Sequence, residues 1–248
     1  MHGNVLANKR ALVTGGSRGI GAAIVKRLAR EGADVALTYV SRPEKTEEVA
    51  GAAKALGVRA FALQADSANS VALTAAVDKA AEELGRIDIL VNNAGIAVLG
   101  PIEKFQLEDF DRTVSVNIRA VFVAIRAVLK HMQTGGRIIN VGSCMAERVP
   151  FGGGSVYAMS KAALVGLVKG LARDLGPRGI TINNIQPGPV ETDMNPSKSD
   201  FAPTQLKALS IPRFADPDEI AAMVAYLSSP ETAYVTGASL SIDGGFSA

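Results

Sequence analysis

The stretch Arg10-Ala-Leu-Val-Thr14-Gly-Gly-Ser-Arg-Gly-Ile-Gly21 decides the fold of this chain. Ala11-Leu-Val13 is a short apolar run of the kind buried in a parallel strand. Ala22 to Arg30 is a run of good helix formers that puts Ile24, Val25 and Leu28 on one side. Strand, glycine turn and helix in this order bring free backbone N–H groups and the positive end of a helix dipole to one point, where an anionic phosphate can sit. Gly15, Ser17, Arg18, Gly19, Ile20 and Gly21 are therefore candidate pyrophosphate ligands. The spacing lengthens the first gap of the G-x-G-x-x-G pattern.

Outward from this turn the alternation continues. Strand-like runs at about 10–14, 34–39, 59–64, 87–91, 136–142, 180–186 and 239–242 alternate with helix-like runs. Such alternation predicts an α/β protein of the Rossmann type, a doubly wound, mostly parallel seven-stranded sheet with helices on both faces. No linker, repeat or low-complexity tract divides residues 1–248, so a single domain is expected. The weakly patterned segment from about 192 to 217 follows a strand end where ligands bind in such sheets, and it reads as a mobile substrate lid.

Composition narrows the chemistry. With 48% hydrophobic residues the chain needs no disulfide or metal staple, and a net charge of +2 makes no electrostatic case for nucleic acid or an anionic membrane. One cysteine, Cys144, and two histidines, His2 and His131, leave little for a zinc or Ser-His site, so no metal is expected. Met1 to Arg10 lacks the apolar run of a signal peptide, and a cytoplasmic location without membrane contact is the expectation.

Tyr157-Ala-Met-Ser-Lys161 places a phenol and an ammonium on one helix face. A fixed cation beside a tyrosine favours the phenolate and lowers a pKa that is ordinarily about 10, which would make Tyr157 an acid–base group. Ser143, expected to end the strand-like run Arg137-Ile-Ile-Asn-Val-Gly, would hold a carbonyl oxygen beside it. Cys144, by alternation along that strand, should turn away and pack. The end of the second strand, Ala36-Leu-Thr-Tyr39, carries no acid of the kind that bonds the ribose hydroxyls of NAD. Ser41 and Arg42 follow it instead, and with Arg18 they form a set suited to a 2'-phosphate, which favours NADP(H).

With Asn92-Asn93-Ala94-Gly95 after an apolar strand, Asn117 in a helical run, and Pro187-Gly188-Pro-Val190-Glu-Thr192 after another strand, the set resembles the classical short-chain dehydrogenases/reductases over nearly the whole chain. The resemblance implies a hydride transfer from NADPH to a ketone or aldehyde, with Tyr157 as proton donor, Ser143 orienting the oxygen and Lys161 bonding the nicotinamide ribose. Asn117 would help hold a water that links Lys161 to solvent. Asp66 and Ser67 resemble the residues that meet the adenine edge, although Asp66-Ser67 reads equally well as a helix N-cap. Pro187, Gly188, Val190 and Thr192 resemble the turn that grips the nicotinamide amide. The nearest activity resembles that of 3-oxoacyl-acyl-carrier-protein reductases. Arg178, Lys130 and His131 are the basic residues weighed for contact with a carrier protein, but a free small carbonyl compound is the preferred substrate. Met145, Val149, Phe151, Met194 and Phe201 are candidates for an apolar pocket. The resemblance also implies a homotetramer, with the run Tyr234 to Phe246 buried in a contact between copies. GGSRGIGAAIV, GLARDLGPRGITIN and QPGPVETD resemble, too, cyclic-di-GMP-binding signalling proteins built on the same fold, which leaves a binding function without chemistry as the alternative.

Overall fold

The computed structural model describes residues 4–248, so His2 lies outside the described residues. The strands are β1 (Arg10–Val13), β2 (Asp34–Tyr39), β3 (Ala60–Gln64), β4 (Ile89–Asn92), β5 (Arg137–Val141), β6 (Thr181–Pro187) and β7 (Ser239–Ile242). All pair in parallel, in the order β3-β2-β1-β4-β5-β6-β7. The seven expected strands are all present, with ends that move by two residues at most.

The helices are α1 (Gly19–Arg30), α2 (Pro43–Lys54), α3 (Ser70–Leu84), α4 (Leu107–Val114), α5 (Ala120–Val128), α6 (Ser155–Leu175), α7 (Ala202–Leu206) and α8 (Pro217–Ser228). On one face of the sheet α1 and α8 bury Ile24, Val25, Leu28, Ile220 and Val224 with Val13, Val35 and Leu37. On the other, α3, α5 and α6 bury Val77, Leu84, Ile125, Leu164 and Val168 with Leu12, Leu90 and Ile138. Strands covered on both faces must be apolar throughout, which is why Ile89-Leu-Val91 shows no polar alternation.

Chain order reverses between β1 and β4, and the loops leaving the two strands there part to open a crevice at their carboxyl ends. The helix ends follow local chemistry. Asn69 caps α3 by accepting from the amides of Val71 and Ala72, and Asp216 forms a capping box with Glu219 at α8. The N-cap reading of Asp66-Ser67 is thereby corrected, since the cap falls on Asn69. Between α4 and α5 the helix widens into a π-turn over Ser115–Arg119, and this turn carries Asn117.

Candidate active site

A cavity of about 400 Å³ runs along the carboxyl ends of the strands. Every expected cofactor residue lines it: Gly15, Ser17, Arg18, Gly19, Ile20 and Gly21 from the glycine turn, Tyr39, Ser41 and Arg42 after β2, and Asp66 and Ser67 after β3. Asn93, Ala94 and Gly95 after β4, and Pro187, Gly188, Val190 and Thr192 after β6, complete the set. Ser143, Tyr157 and Lys161 meet in the same cavity, whereas Asn117 lies behind its wall.

The turn that opens the cavity is held by direct bonds. The Thr14 hydroxyl accepts from the amides of Asn93 and Ala94 at 3.0 and 3.1 Å, and Asn93 Nδ2 donates to the carbonyls of Thr14 and Gly15 at 3.0 and 2.9 Å. Gly15 adopts a φ of +66°, in the left-handed region. A Cβ at Gly21 would collide with the Gly15 carbonyl, so this glycine is required for the helix to approach the turn. No side chain caps α1 and its first turn holds no acid. Its free amides, set among glycines and beside Arg18, therefore fit an anionic diphosphate.

Arg42 is one of only two non-glycine residues with positive φ among the described residues, at +64°. This conformation is costly for a side chain with a Cβ and occurs where surroundings impose it. It sends the guanidinium across the cleft to Asp193, in the segment after β6, at 3.4 Å. After β3, Asp66 accepts from Arg112 at 3.1 Å and from the Ala68 amide at 2.9 Å.

Ser143 does not end a strand. β5 stops at Val141, and Ser143 caps a short helical turn over Cys144–Ala146, its hydroxyl accepting from the Met145 amide at 3.2 Å. Alternation therefore does not govern Cys144. It is buried because it packs with Met145 and Phe246, and that burial pushes its thiol up to about 12.

The expected lowering of the Tyr157 pKa is also corrected. Burial pushes the phenol up to about 12, with the Ser143 hydroxyl offsetting part of the effect, and burial pushes the Lys161 ammonium down to about 8. Lys161 Nζ sits 5.8 Å from the centre of the Tyr157 ring and donates to the Val141 carbonyl at 3.0 Å. Desolvation disfavours the charged form of each group and is the main cause of both shifts. The pair thus rests with a protonated phenol.

Asn117 is engaged by protein alone. Its Oδ1 accepts from the Ile96 amide at 2.9 Å, and its Nδ2 donates to the Ile96 carbonyl at 2.9 Å and to Ser160 Oγ at 3.0 Å. Both amide protons are used, so the side chain positions the loop after Gly95. A Cβ on Gly95 would lie 3.4 Å from Lys161 Nζ and 3.5 Å from Asn117 Oδ1.

Met145, Phe151, Met194 and Phe201 line the cavity as expected, and Phe151 meets Phe201 edge to face at 4.8 Å. Val149 lies outside it. Leu99, Arg112, Gln205 and Phe246 also line it, though nothing local in the sequence marks them. Arg178, Lys130 and His131 are at the opposite edge of the sheet, where β5 and β6 begin. Arg178 there donates to the carbonyls of Leu129 and Met132, and His131 bonds Asp78. These residues are thus removed from the cavity mouth.

A Rossmann crevice that brings an uncapped glycine turn and a buried phenol together is an arrangement suited to dinucleotide-dependent oxidoreduction. The family described as enoyl-(acyl carrier protein) reductase matches residues 15–247. The chain belongs to the short-chain dehydrogenase/reductase family. A short-chain dehydrogenase from Burkholderia cenocepacia J2315, solved in complex with NADP, is 53% identical, with a TM-score of 0.97 over 98% of this chain and 99% of that one. The cyclic-di-GMP-binding biofilm dispersal mediator protein of Escherichia coli K12 is 43% identical over 97% of this chain and 98% of its own. A 3-oxoacyl-acyl-carrier-protein reductase of Staphylococcus epidermidis is 37% identical over 96% and 98%.

Proposed function

We propose that this chain is an NADPH-dependent carbonyl reductase in which Tyr157 gives a proton to the carbonyl oxygen of a small ketone or aldehyde. The observation that carries the reading is the meeting of Ser143, Tyr157 and Lys161 in a buried cavity continuous with the uncapped start of α1. The NADP complex of the Burkholderia cenocepacia relative supports the cofactor, as do Arg18, Ser41 and Arg42 where an NAD-binding acid would sit.

Bound NADPH supplies the hydride. Tyr157, kept protonated by its burial, retains its proton at neutral pH and yields it to the alkoxide oxygen as negative charge develops there. The Ser143 oxygen already accepts from the Met145 amide, so its own proton is available to orient the carbonyl. Lys161 uses one of its three N–H bonds on Val141 and has two left for a ribose hydroxyl and for the phenol oxygen. Asn117 sets the loop beyond Gly95 and, through Ser160, the carbonyl of Tyr157. A free carbonyl compound of modest polarity is favoured over a carrier-bound one because Arg178 and His131, the basic residues weighed for a carrier protein, are engaged away from the cavity mouth.

A panel of aliphatic, aryl and 3-oxo ester carbonyls, followed by NADPH absorbance, tests the reading. Turnover is expected with at least one of them, and Tyr157→Phe should cut it by about 10²- to 10⁴-fold while NADPH affinity stays within a few-fold. Undiminished turnover in the variant would refute the assignment.

The 43% identity to the cyclic-di-GMP-binding relative favours a second reading, a nucleotide-binding signalling role. Tight binding of that dinucleotide in calorimetry, with no carbonyl reduced, would put it first.

A homotetramer belongs to the same proposal, but the run Tyr234 to Phe246 does not lie wholly between copies as expected: Phe246 is buried within its own chain, while Tyr234 is fully exposed. The helical stretch Ser155–Arg178 is long and apolar enough to cross a membrane by composition, yet only about a third of its most apolar window is buried. Its outer side shows Ala162, Ala163, Gly166 and Gly170, a face of small residues suited to a second copy. Sedimentation at micromolar concentration should give four chains.

A further inference from the structure

The segment after β7 is far from Tyr157 in sequence but forms part of its pocket. Phe246 is buried to 1% exposure, lines the cavity, and packs in one cluster with Cys144, Met145, Phe151 and Tyr157. A ring so enclosed, at the end of the cavity away from the glycine turn, sets how much room lies beyond the phenol.

Its placement is not a property of β7, which ends at Ile242. Consecutive glycines, Gly244 and Gly245, with φ of +63° and +79°, turn the chain back. The Asp243 carboxylate then accepts from the amides of Gly245 and Ser247, both at 3.0 Å. On the lid side the amides of Ser210 and Ile211 both donate to the Gly244 carbonyl at 2.9 Å. On the other side Arg148, in the loop that begins at Ser143, donates through Nη1 to the Phe246 carbonyl at 2.6 Å and to the Ala248 carbonyl at 3.2 Å. Arg148 is itself exposed and makes no ion pair among the described residues, and its Nη1 is shared between these two carbonyls. A charge-assisted bond of this kind is about twice as strong as a neutral one.

Building on the reductase reading, we infer that Phe246 is a specificity-determining wall of the carbonyl pocket and that Arg148 is the positioning residue that holds it there. The pocket accepts a carbonyl compound whose larger substituent fits against the Phe246 ring, and its size is set through Arg148 by the same loop that carries Ser143.

Cys144, the only cysteine of the chain, reports on this wall without any catalysis. Phe246→Ala and Arg148→Ala, made in the full chain, should each raise the rate of Cys144 alkylation by iodoacetamide at pH 8 at least tenfold. Far-UV circular dichroism should stay close to wild type in both variants; the urea midpoint should stay close in Arg148→Ala and fall in Phe246→Ala, where a buried ring is lost, and Arg148→Lys should restore most of the protection. The second readout is the ratio of kcat/KM for a bulky aryl ketone to that for a small aliphatic ketone. Phe246→Ala should raise it tenfold or more and Arg148→Ala should move it the same way, through KM, with the NADPH dissociation constant within twofold of wild type. A folded Arg148→Ala that is alkylated at the wild-type rate overturns the positioning role. A ratio within twofold of wild type in Phe246→Ala overturns the specificity role. If that variant does not fold, Phe246→Leu should move the ratio about threefold in the same direction, and no movement counts against the wall. A wild type that reduces no carbonyl at all sinks the reductase reading, while the alkylation rates still decide whether Arg148 holds the wall.

Discussion

Lys161→Met should make the protein more stable at neutral pH while destroying its activity. The ammonium is 5% exposed, and burial pushes its pKa from 10.5 down to about 8. The unfolded chain therefore binds the proton more tightly than the folded one, and below pH 8 the folded state carries a charge it would rather not hold. A depression of this size corresponds to about 3 kcal/mol of destabilisation at pH 7. Methionine keeps the length and apolar stem of the side chain but removes the charge, along with the bond to the Val141 carbonyl, which is worth about 1 kcal/mol. The net gain is about 2 kcal/mol, or about 4–8 °C in Tm for a domain of this size. The sign follows from linkage: wild-type stability rises with pH between about 8 and 10.5 as the folded state gives up the proton first, so the advantage of the variant should shrink through that window, reach zero at about pH 9.5 and reverse above it, where only the lost Val141 bond remains. The raised pKa of Tyr157 acts only above pH 10 and is common to both proteins. The chain has no tryptophan, so urea unfolding at fixed protein concentration is best followed by far-UV circular dichroism, at pH 6 to 10. A stability gap that does not change with pH, or a wild type more stable than the variant at pH 7, would show that the ammonium is not desolvated as described.

Two further expectations rest on single contacts. Arg42→Ala should weaken NADPH binding by about tenfold to a hundredfold and leave NADH nearly unchanged, because a charge-assisted bond is worth about 1.5–3 kcal/mol. Asp193→Asn, which frees Arg42 from a half-exposed ion pair, should tighten NADPH by about two- to fivefold, and equal effects on both dinucleotides in titration would count against a 2'-phosphate site there. Gly21→Ala, whose new Cβ meets the Gly15 carbonyl, should cost about 1–3 kcal/mol or more in urea unfolding and abolish dinucleotide binding. Gly51→Ala on α2, with open space around it, should instead add up to about 1 kcal/mol, and similar behaviour of the two variants would contradict the close packing at the turn.

The parts of this site that were legible in the sequence are those encoded by short spacing. Tyr157 and Lys161 are one helical turn apart, and the glycines of the first turn lie between a strand and a helix that their neighbours announce. The all-parallel sheet could be read because strands covered on both faces are apolar throughout, as Ile89-Leu-Val91 is. What could not be read depends on burial or on partners distant in the chain. The direction of the Tyr157 shift was misjudged because adjacency to a cation is visible in a spacing of four residues, whereas the desolvation that outweighs it is a property of the closed cavity. Arg178 looked like a residue of the cavity mouth until the topology put the start of β6 at the opposite edge of the sheet. Arg148 and Phe246 are separated by 98 residues, and neither stands in a pattern that marks it. Their bond exists because β7 comes to lie beside β6, and β6 beside β5, in an order that only the assembled sheet determines. Chemistry carried by motifs can thus be inherited with the fold, while the shape of the pocket around it is set by long-range contacts of this kind. The residues that choose the substrate should accordingly be sought in the segments after β6 and after β7 rather than among Ser143, Tyr157 and Lys161.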